Sequence, residues 1–101
     1  MKYEVSVKRR IYYEGINRED EEKTIVRYYE ADSEWKAIDM FKHDMYADAK
    51  LYGYELYMND TLLHDVVFKA DVKVLGSSRQ WTVYYSFDEF NAEEEEEDEQ
   101  N

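Results

Sequence analysis

Hydrophobic residues recur along this chain with two different periods, which together predict an α+β fold. Five segments carry an apolar side chain at about every second position, the pattern of strands with one buried face. These segments span residues 2–13, 23–31, 54–58, 65–75 and 79–87. Over Glu34–Leu51 the apolar residues recur every three or four positions, as on the buried face of an amphipathic helix. The predicted order is ββαβββ, an antiparallel sheet of about five strands with one amphipathic helix on one face.

Single residues mark where the predicted helix begins and ends and where the first strand is irregular. Asp32 and Ser33 precede the helix and are good N-cap residues, and Glu34 favours the positive end of the helix dipole. Gly53 follows the last apolar position, where a left-handed residue commonly ends a helix. In the first strand, Arg9 occupies a position on the apolar face, which predicts a bulge or an exposed end there.

The composition indicates one cytoplasmic domain. The 101 residues suit a single domain, and 17% of them are aromatic, so a core can form without covalent cross-links. The absence of Cys excludes disulfides and thiolate metal sites and fits a reducing compartment. No apolar run approaches the roughly 20 residues that span a bilayer, and the first residues lack a signal-peptide pattern. We therefore expect a cytoplasmic protein without a membrane segment.

Charge is the most unusual property of the sequence. There are 25 acidic and 13 basic residues, which gives a formal net charge of −12. The segment from Glu93 to Asn101 contains seven acidic residues and no bulky apolar side chain. This change in composition predicts a single α+β domain over residues 1–90 and a disordered acidic tail over 91–101. Nucleic acids and anionic membranes would repel such a chain, so its electrostatic partner is a basic protein.

Carboxylates in the first loop and along the helix are the candidate protein-binding residues. Within the helix, Asp44 and Asp48 lie four positions apart, a like-charge arrangement that costs about 0.2–0.5 kcal/mol and suggests an electrostatic use. DNA presents one negative charge per roughly 1.7 Å of helix axis, so carboxylates fixed to a folded scaffold can occupy a DNA-binding cleft. The predicted surface consists of Glu19, Asp20, Glu21, Glu22, Asp32, Glu34, Asp39, Asp44 and Asp48.

Small size, acidic charge, the absence of Cys and abundant Tyr give the chain a recognisable character. In these properties it resembles the phage-encoded DNA-mimic proteins that disable host DNA-binding proteins, in particular inhibitors of the histone-like nucleoid protein HU. The resemblance concerns overall character and not a sequence motif. It implies a non-catalytic inhibitor in the host cytoplasm, without a metal or cofactor, that covers the DNA-binding surface of a basic host protein.

Tyrosines on the predicted strands support an alternative function. Side chains alternate along a strand, so one member of each adjacent pair should point away from the core. Exposed tyrosines are enriched at protein interfaces. The alternative is therefore a non-catalytic interaction module or a homodimer that uses a tyrosine-bearing sheet face. The pairs are Tyr12-Tyr13, Tyr28-Tyr29 and Tyr84-Tyr85.

A third hypothesis is a metal-dependent nuclease. Asp71 and Lys73 form the short acid-x-Lys pattern of many nucleases, and Asp60 precedes them as a second candidate metal ligand. So short a pattern arises readily by chance in a chain of which 38% is charged. The sequence contains no glycine-rich phosphate loop and no calcium-loop motif. We therefore predict a binding protein and assign no catalytic, metal or cofactor residues.

Overall fold

The computed structural model describes residues 1–60, 65–73, 76 and 79–95, and it confirms the predicted α+β architecture. The five strands form one antiparallel sheet with the order β2-β1-β5-β4-β3. The helix lies on one face of this sheet and leaves the other face open. The elements are β1 (Lys2–Glu14), β2 (Glu21–Glu30), α1 (Glu34–Leu51), β3 (Glu55–Asp60), β4 (Asp65–Lys73) and β5 (Gln80–Glu94).

The signals at both ends of α1 act as the sequence predicts. The hydroxyl of Ser33 accepts a hydrogen bond from the amide of Lys36 at 3.2 Å, which satisfies one of the free N–H groups of the first turn. At the other end Gly53 has φ +77°, in the left-handed region. The Gly53 amide donates to the carbonyl of Lys50, and the Tyr54 amide donates to the carbonyl of Ala49. These two bonds form a Schellman motif, which turns the chain back toward the sheet.

The core lies between α1 and the half of the sheet that contains the start of β1. Its largest enclosed side chain is Phe41, which is 1% exposed. The Phe41 ring packs edge-on against Phe90 of β5 at 6.1 Å and lies 6.0 Å from the ring of Tyr29 in β2. One helical side chain therefore joins α1 to both sides of β1. The buried residues around it are Tyr3, Val5, Val7, Ala37, Met45, Ala49, Val66, Phe68 and Ala92.

A bulge in β5 extends the ordered part of the chain beyond the predicted boundary at residue 90. Ser6 pairs with Asn91 and Lys8 with Asp88, so two residues of β5 lie opposite Val7 alone. One of them, Glu89, has φ +54°. The bulge shifts the alternation by one residue, which lets β5 continue against β1 as far as Glu94. The predicted tail therefore began too early, and residues 96–101 lie outside the described residues.

Two other expectations about strand ends need correction. The irregularity expected at Arg9 lies instead in β5, while β1 itself runs without interruption and keeps Arg9 on the helix side. The strand predicted over 54–58 ends too early, because Asn59 and Asp60 also belong to β3. The last two residues of the strand predicted over 65–75 lie outside the described residues.

Replacing Phe41 with Ala tests the position of the core. We expect Phe41→Ala to lower the free energy of unfolding by about 3–5 kcal/mol, because it leaves a cavity among packed rings. The matched control is Leu51→Ala on the same helix, where the side chain is 78% exposed and the change should stay within about 0.5 kcal/mol. Urea unfolding followed by circular dichroism measures both values. Equal losses in the two variants would contradict this core.

Substitutions at Gly53 test the left-handed helix end. Open space surrounds a Cβ added at this position, so any cost is conformational and not steric crowding by neighbours. We expect Gly53→Ala to lower stability by about 1–2 kcal/mol, because alanine resists the left-handed region. Gly53→Asn should lose less, since asparagine tolerates this conformation better. The same urea titration ranks the two variants, and a more stable Ala variant would be the contrary result.

Candidate functional site

Three strand ends and the start of the helix meet at one end of the sheet. β1 begins there and β2 and β5 end there, in the register set by the pairs Lys2↔Glu30 and Tyr3↔Glu94. α1 begins at the same end, because only residues 31–33 separate it from β2. The carboxylates at this end form a group that we call the acidic pole. It consists of Glu4, Glu30, Asp32, Glu34, Glu93, Glu94 and Glu95.

Most carboxylates of the acidic pole have no cationic partner. Glu30 lies 3.6 Å from the amino group of Met1, and Glu95 lies 3.6 Å from Lys2 Nζ. The other five carboxylates form no ion pair with any residue that the structure describes. The pole therefore carries a large uncompensated negative charge on an ordered part of the fold.

The environment of Tyr3 gives a second indication that these carboxylates are close together. Burial raises the pKa of the Tyr3 hydroxyl, and the negative charges of Glu94, Glu34 and Asp32 raise it further. Charges act strongly on a group only at short range, so one strand end and the start of α1 surround the same phenol. The pole is thus a single electrostatic feature built from segments that are distant in sequence.

The predicted acidic loop lies at the opposite end of the molecule. Residues 15–20 connect β1 to β2 at the far end of β1, and 13 strand residues separate this hairpin from the pole. At about 3.3 Å per residue, the distance is about 40 Å. The nine predicted residues therefore do not form one surface. Asp32 and Glu34 belong to the pole, whereas Glu19–Glu22 lie in or beside the distant hairpin.

The helix carboxylates predicted to bind a partner are largely neutralised within the protein. Arg27 of β2 places one guanidinium nitrogen 3.3 Å from Asp48 and another 3.8 Å from Asp44. The like-charge pair on the helix flank is thus explained by one shared arginine. Asp39 lies 3.5 Å from Nδ1 of His43 on the next turn. Asp44 and Asp48 therefore provide less free negative charge than the sequence suggested.

Ion pairs also occupy the centre of the open sheet face. Lys8 lies 2.9 Å from Glu89 and 3.8 Å from Glu22, and it lowers the pKa of Glu89. Arg10 donates to Glu22 at 3.1 Å and to Asp88. This network links β2, β1 and β5, so Glu22 stabilises the sheet and is not available as a free charge. We call these five side chains the open-face network.

The tyrosine pairs divide between the two sheet faces, as strand alternation predicts. Tyr28 is 53% exposed on the open face, beside Val26, which is 42% exposed. The open-face network lies between this pair and the tyrosines of β1 and β5, so the described residues form no continuous apolar surface there. The open-face members of the three pairs are Tyr12, Tyr28 and Tyr84, and the helix-side members are Tyr13, Tyr29 and Tyr85.

The candidate nuclease residues do not converge on a metal site among the described residues. Asp71 is exposed on β4 and accepts a hydrogen bond from the Thr82 hydroxyl at 2.9 Å. Within the described ranges, no three His, Cys, Asp or Glu side chains form a group that could hold a metal ion. The side chain of Asp60 lies outside the described residues. Asp71 therefore has a structural partner.

Sequence reasoning missed five of the seven pole residues. Glu4 and Glu30 appeared as polar positions of separate strands, and Glu93–Glu95 were assigned to the tail. The missing information is the register between the first and last strands, which no local pattern encodes. The one available signal was the alternation of Phe90 and Ala92 after Phe87, once a bulge is allowed.

No known protein family, curated protein or solved structure matches this chain. In the part of the chain that the structure describes, no helix combines the length and the apolar character needed to cross a membrane. Any function must therefore be inferred from the geometry and charge of the chain itself.

The half-buried Tyr29 predicts how stability depends on alkaline pH. Burial and the 2.6 Å hydrogen bond to Asp44 raise the pKa of Tyr29 to about 12, against about 10 in an unfolded chain. The unfolded state therefore loses its proton first. The contribution to stability is complete below pH 10 and is lost as the pH rises to about 12.

Unfolding measured between pH 8 and 12 checks this prediction. Tyr29→Phe should flatten part of the alkaline fall in stability, because the variant has no hydroxyl to titrate at this position. Tyr28→Phe, which removes a hydroxyl from the open face, should keep the wild-type fall. The prediction is wrong if the Tyr29→Phe and wild-type curves remain parallel throughout this range.

Proposed function

We propose that this protein binds a basic protein through the acidic pole and blocks the surface with which that partner holds nucleic acid. The observation that carries the proposal is the convergence of seven carboxylates at one end of the sheet. Five of them have no ion-pair partner among the described residues. A cationic cleft is the surface that such an arrangement fits best.

The fold tolerates unfavourable contacts in order to hold these charges. Glu4 and Glu93 lie directly opposite each other on neighbouring strands. Like charges in such a cross-strand pair are destabilising. Elsewhere on the same face, Lys8 and Arg10 form ion pairs with carboxylates of the neighbouring strand β5. This contrast supports the proposal that the pole carboxylates contact another molecule.

The proposed mechanism is competition for a cationic surface. Negative charges fixed on strands and a helix start need no ordering when the partner arrives, so little conformational entropy is lost. Long-range attraction makes association fast and strongly dependent on salt. A histone-like nucleoid protein such as HU, in a host cytoplasm, is the partner class that the resemblance suggests. Binding requires no reacting group, metal or cofactor.

The second candidate function is apolar docking or homodimerisation through the open sheet face. The specific observation in its favour is the exposure of Val26 and Tyr28, at 42% and 53%. The open-face network weakens it, because those charges would have to be desolvated on contact. Salt separates the two functions. Affinity through the acidic pole falls steeply between low and high salt, whereas apolar docking changes little.

A matched pair of double variants tests whether the acidic pole is the binding surface. Asp32→Asn with Glu34→Gln removes two pole charges, and Asp20→Asn with Glu19→Gln removes the same two residue types from the distant hairpin. The assay measures displacement of labelled duplex DNA from purified HU by fluorescence anisotropy. We expect the pole variant to be at least about tenfold weaker than wild type, because contacts between close charges are lost.

The hairpin variant has the same net charge as the pole variant and should stay within about twofold of wild type. Circular dichroism confirms that both variants fold. Equal losses in the two variants would mean that overall charge, and not the pole, governs binding. Failure of the wild-type chain to displace DNA at low salt would reject HU as the partner.

The residues after Glu95 provide a separate prediction about association rate. The sequence continues with four more acids, from Glu96 to Glu99. We expect deletion of residues 96–101 to slow association with the basic partner while the dissociation rate changes little, since these charges follow the pole in sequence and are expected to act mainly on encounter. Stopped-flow mixing measures both rates. If deletion abolishes binding, the essential charges lie in this segment.

A further inference from the structure

A cavity of about 300 Å³ lies between the carboxyl-terminal half of α1 and the sheet. Its walls are mainly apolar and aromatic, and its volume is at the lower end of the range for small-molecule sites. The stacked rings of Tyr54 and Tyr85, with centroids 4.9 Å apart, form part of the lining. Phe41, Phe68 and Phe87 also line it. The cavity is therefore suited to a flat aromatic group.

Arg9 brings an uncompensated positive charge to this cavity. Its Nε atom is buried and has no hydrogen-bond partner among the described residues. In the same part of the chain it forms no ion pair, although its neighbours Lys8 and Arg10 on the open face each contact two carboxylates. A buried donor without a partner is unfavourable and rare in folded proteins. The positive charge of Arg9 is therefore not matched by a carboxylate among the described residues.

The other polar groups of the cavity leave this charge available. Asp48 also lines the cavity, but its ion pair, at 3.3 Å, is with Arg27 and not with Arg9. The Tyr85 hydroxyl accepts a hydrogen bond from the Tyr54 hydroxyl at 3.4 Å, which leaves its own proton for another acceptor. Burial raises the pKa of Tyr85 to about 12, so this hydroxyl keeps its proton at neutral pH.

From this arrangement we propose that the cavity binds a small aromatic carboxylate. The carboxylate accepts hydrogen bonds from the guanidinium of Arg9, which lines the cavity, and from the Tyr85 hydroxyl, and the aromatic body packs among the rings of α1, β4 and β5. A charge-assisted bond pairs the guanidinium of Arg9, which has no ion-pair partner among the described residues, and the ring burial supplies apolar contact. The site lies on the helix side of the sheet, so it is independent of the function proposed for the acidic pole.

Titration with phenylacetate, followed by amide NMR shifts at pH 7, tests the proposal. We expect a Kd of about 1 mM or tighter for a ligand of this size, with shifts at Arg9, Tyr54 and Tyr85. Phenylacetamide, the neutral isostere, should bind at least about tenfold more weakly, because it lacks the charge. This comparison uses the wild-type chain and does not depend on any variant folding.

Two substitutions on β1 locate the charge. Arg9→Met should weaken phenylacetate binding at least about tenfold, whereas Arg10→Met, one residue away on the opposite face, should leave it within about twofold. If Arg9→Met does not fold, Arg9→Gln replaces it and should show the same loss. The proposal is overturned if phenylacetate does not bind, if phenylacetamide binds equally well, or if the Arg10 variant loses as much affinity as the Arg9 variant.

Discussion

The antiparallel pairing of β1 with β5 joins the two ends of the described chain and organises the rest of the molecule. It runs from Tyr3↔Glu94 to Glu14↔Thr82, with one bulge. Each of the two strands has a hairpin partner on its outer side, so this pairing unites two halves that are otherwise connected through α1. The acidic pole exists because this register places the end of β5 beside the start of β1. Without it, the same carboxylates would belong to unrelated segments.

The bulge opposite Val7 connects the core to the surface charge. By shifting the alternation of β5, it turns Phe90 and Ala92 toward the helix, where Phe90 contacts Phe41. The same shift directs Glu89 to the open face, where it binds Lys8 at 2.9 Å. That ion pair helps to offset the cost of the positive φ of Glu89. One extra residue in β5 therefore sets which side chains face each side of the sheet, and it lets β5 extend as far as the acidic pole.

Local features of this fold could be read from the sequence, and non-local ones could not. The limits of α1 were predicted to the residue, because Ser33 and Gly53 act on their immediate neighbours. β5 was predicted to end at Phe87, because a bulge breaks the period that defines a strand. The acidic pole was only partly predicted, since it depends on strand register. Arg9 was visible as an anomaly on an apolar face, but only the structure assigns it to a cavity wall.

The two proposed sites use opposite charges in separate places. The acidic pole displays carboxylates to the exterior at one end of the sheet, whereas Arg9 is a positive group in the wall of the cavity beneath α1 and has no ion-pair partner among the described residues. Both residues belong to β1. Glu4 lies at the end of the strand in the acidic pole, and Arg9 lies farther along the strand on the face toward the helix. The protein as a whole is acidic, but among the described residues unpaired negative charge is concentrated at the pole and the unpaired positive charge of Arg9 lies at the cavity.

Mapping the contact surface by NMR tests the central claim most directly. Amide spectra of the isotope-labelled chain would be recorded during titration with unlabelled HU at low salt. If the acidic pole is the contact surface, the largest amide shifts will occur at Glu4, Asp32 and Glu93, and the hairpin at 15–20 will change little. Shifts concentrated in that hairpin, or on the open face around Val26, would contradict it.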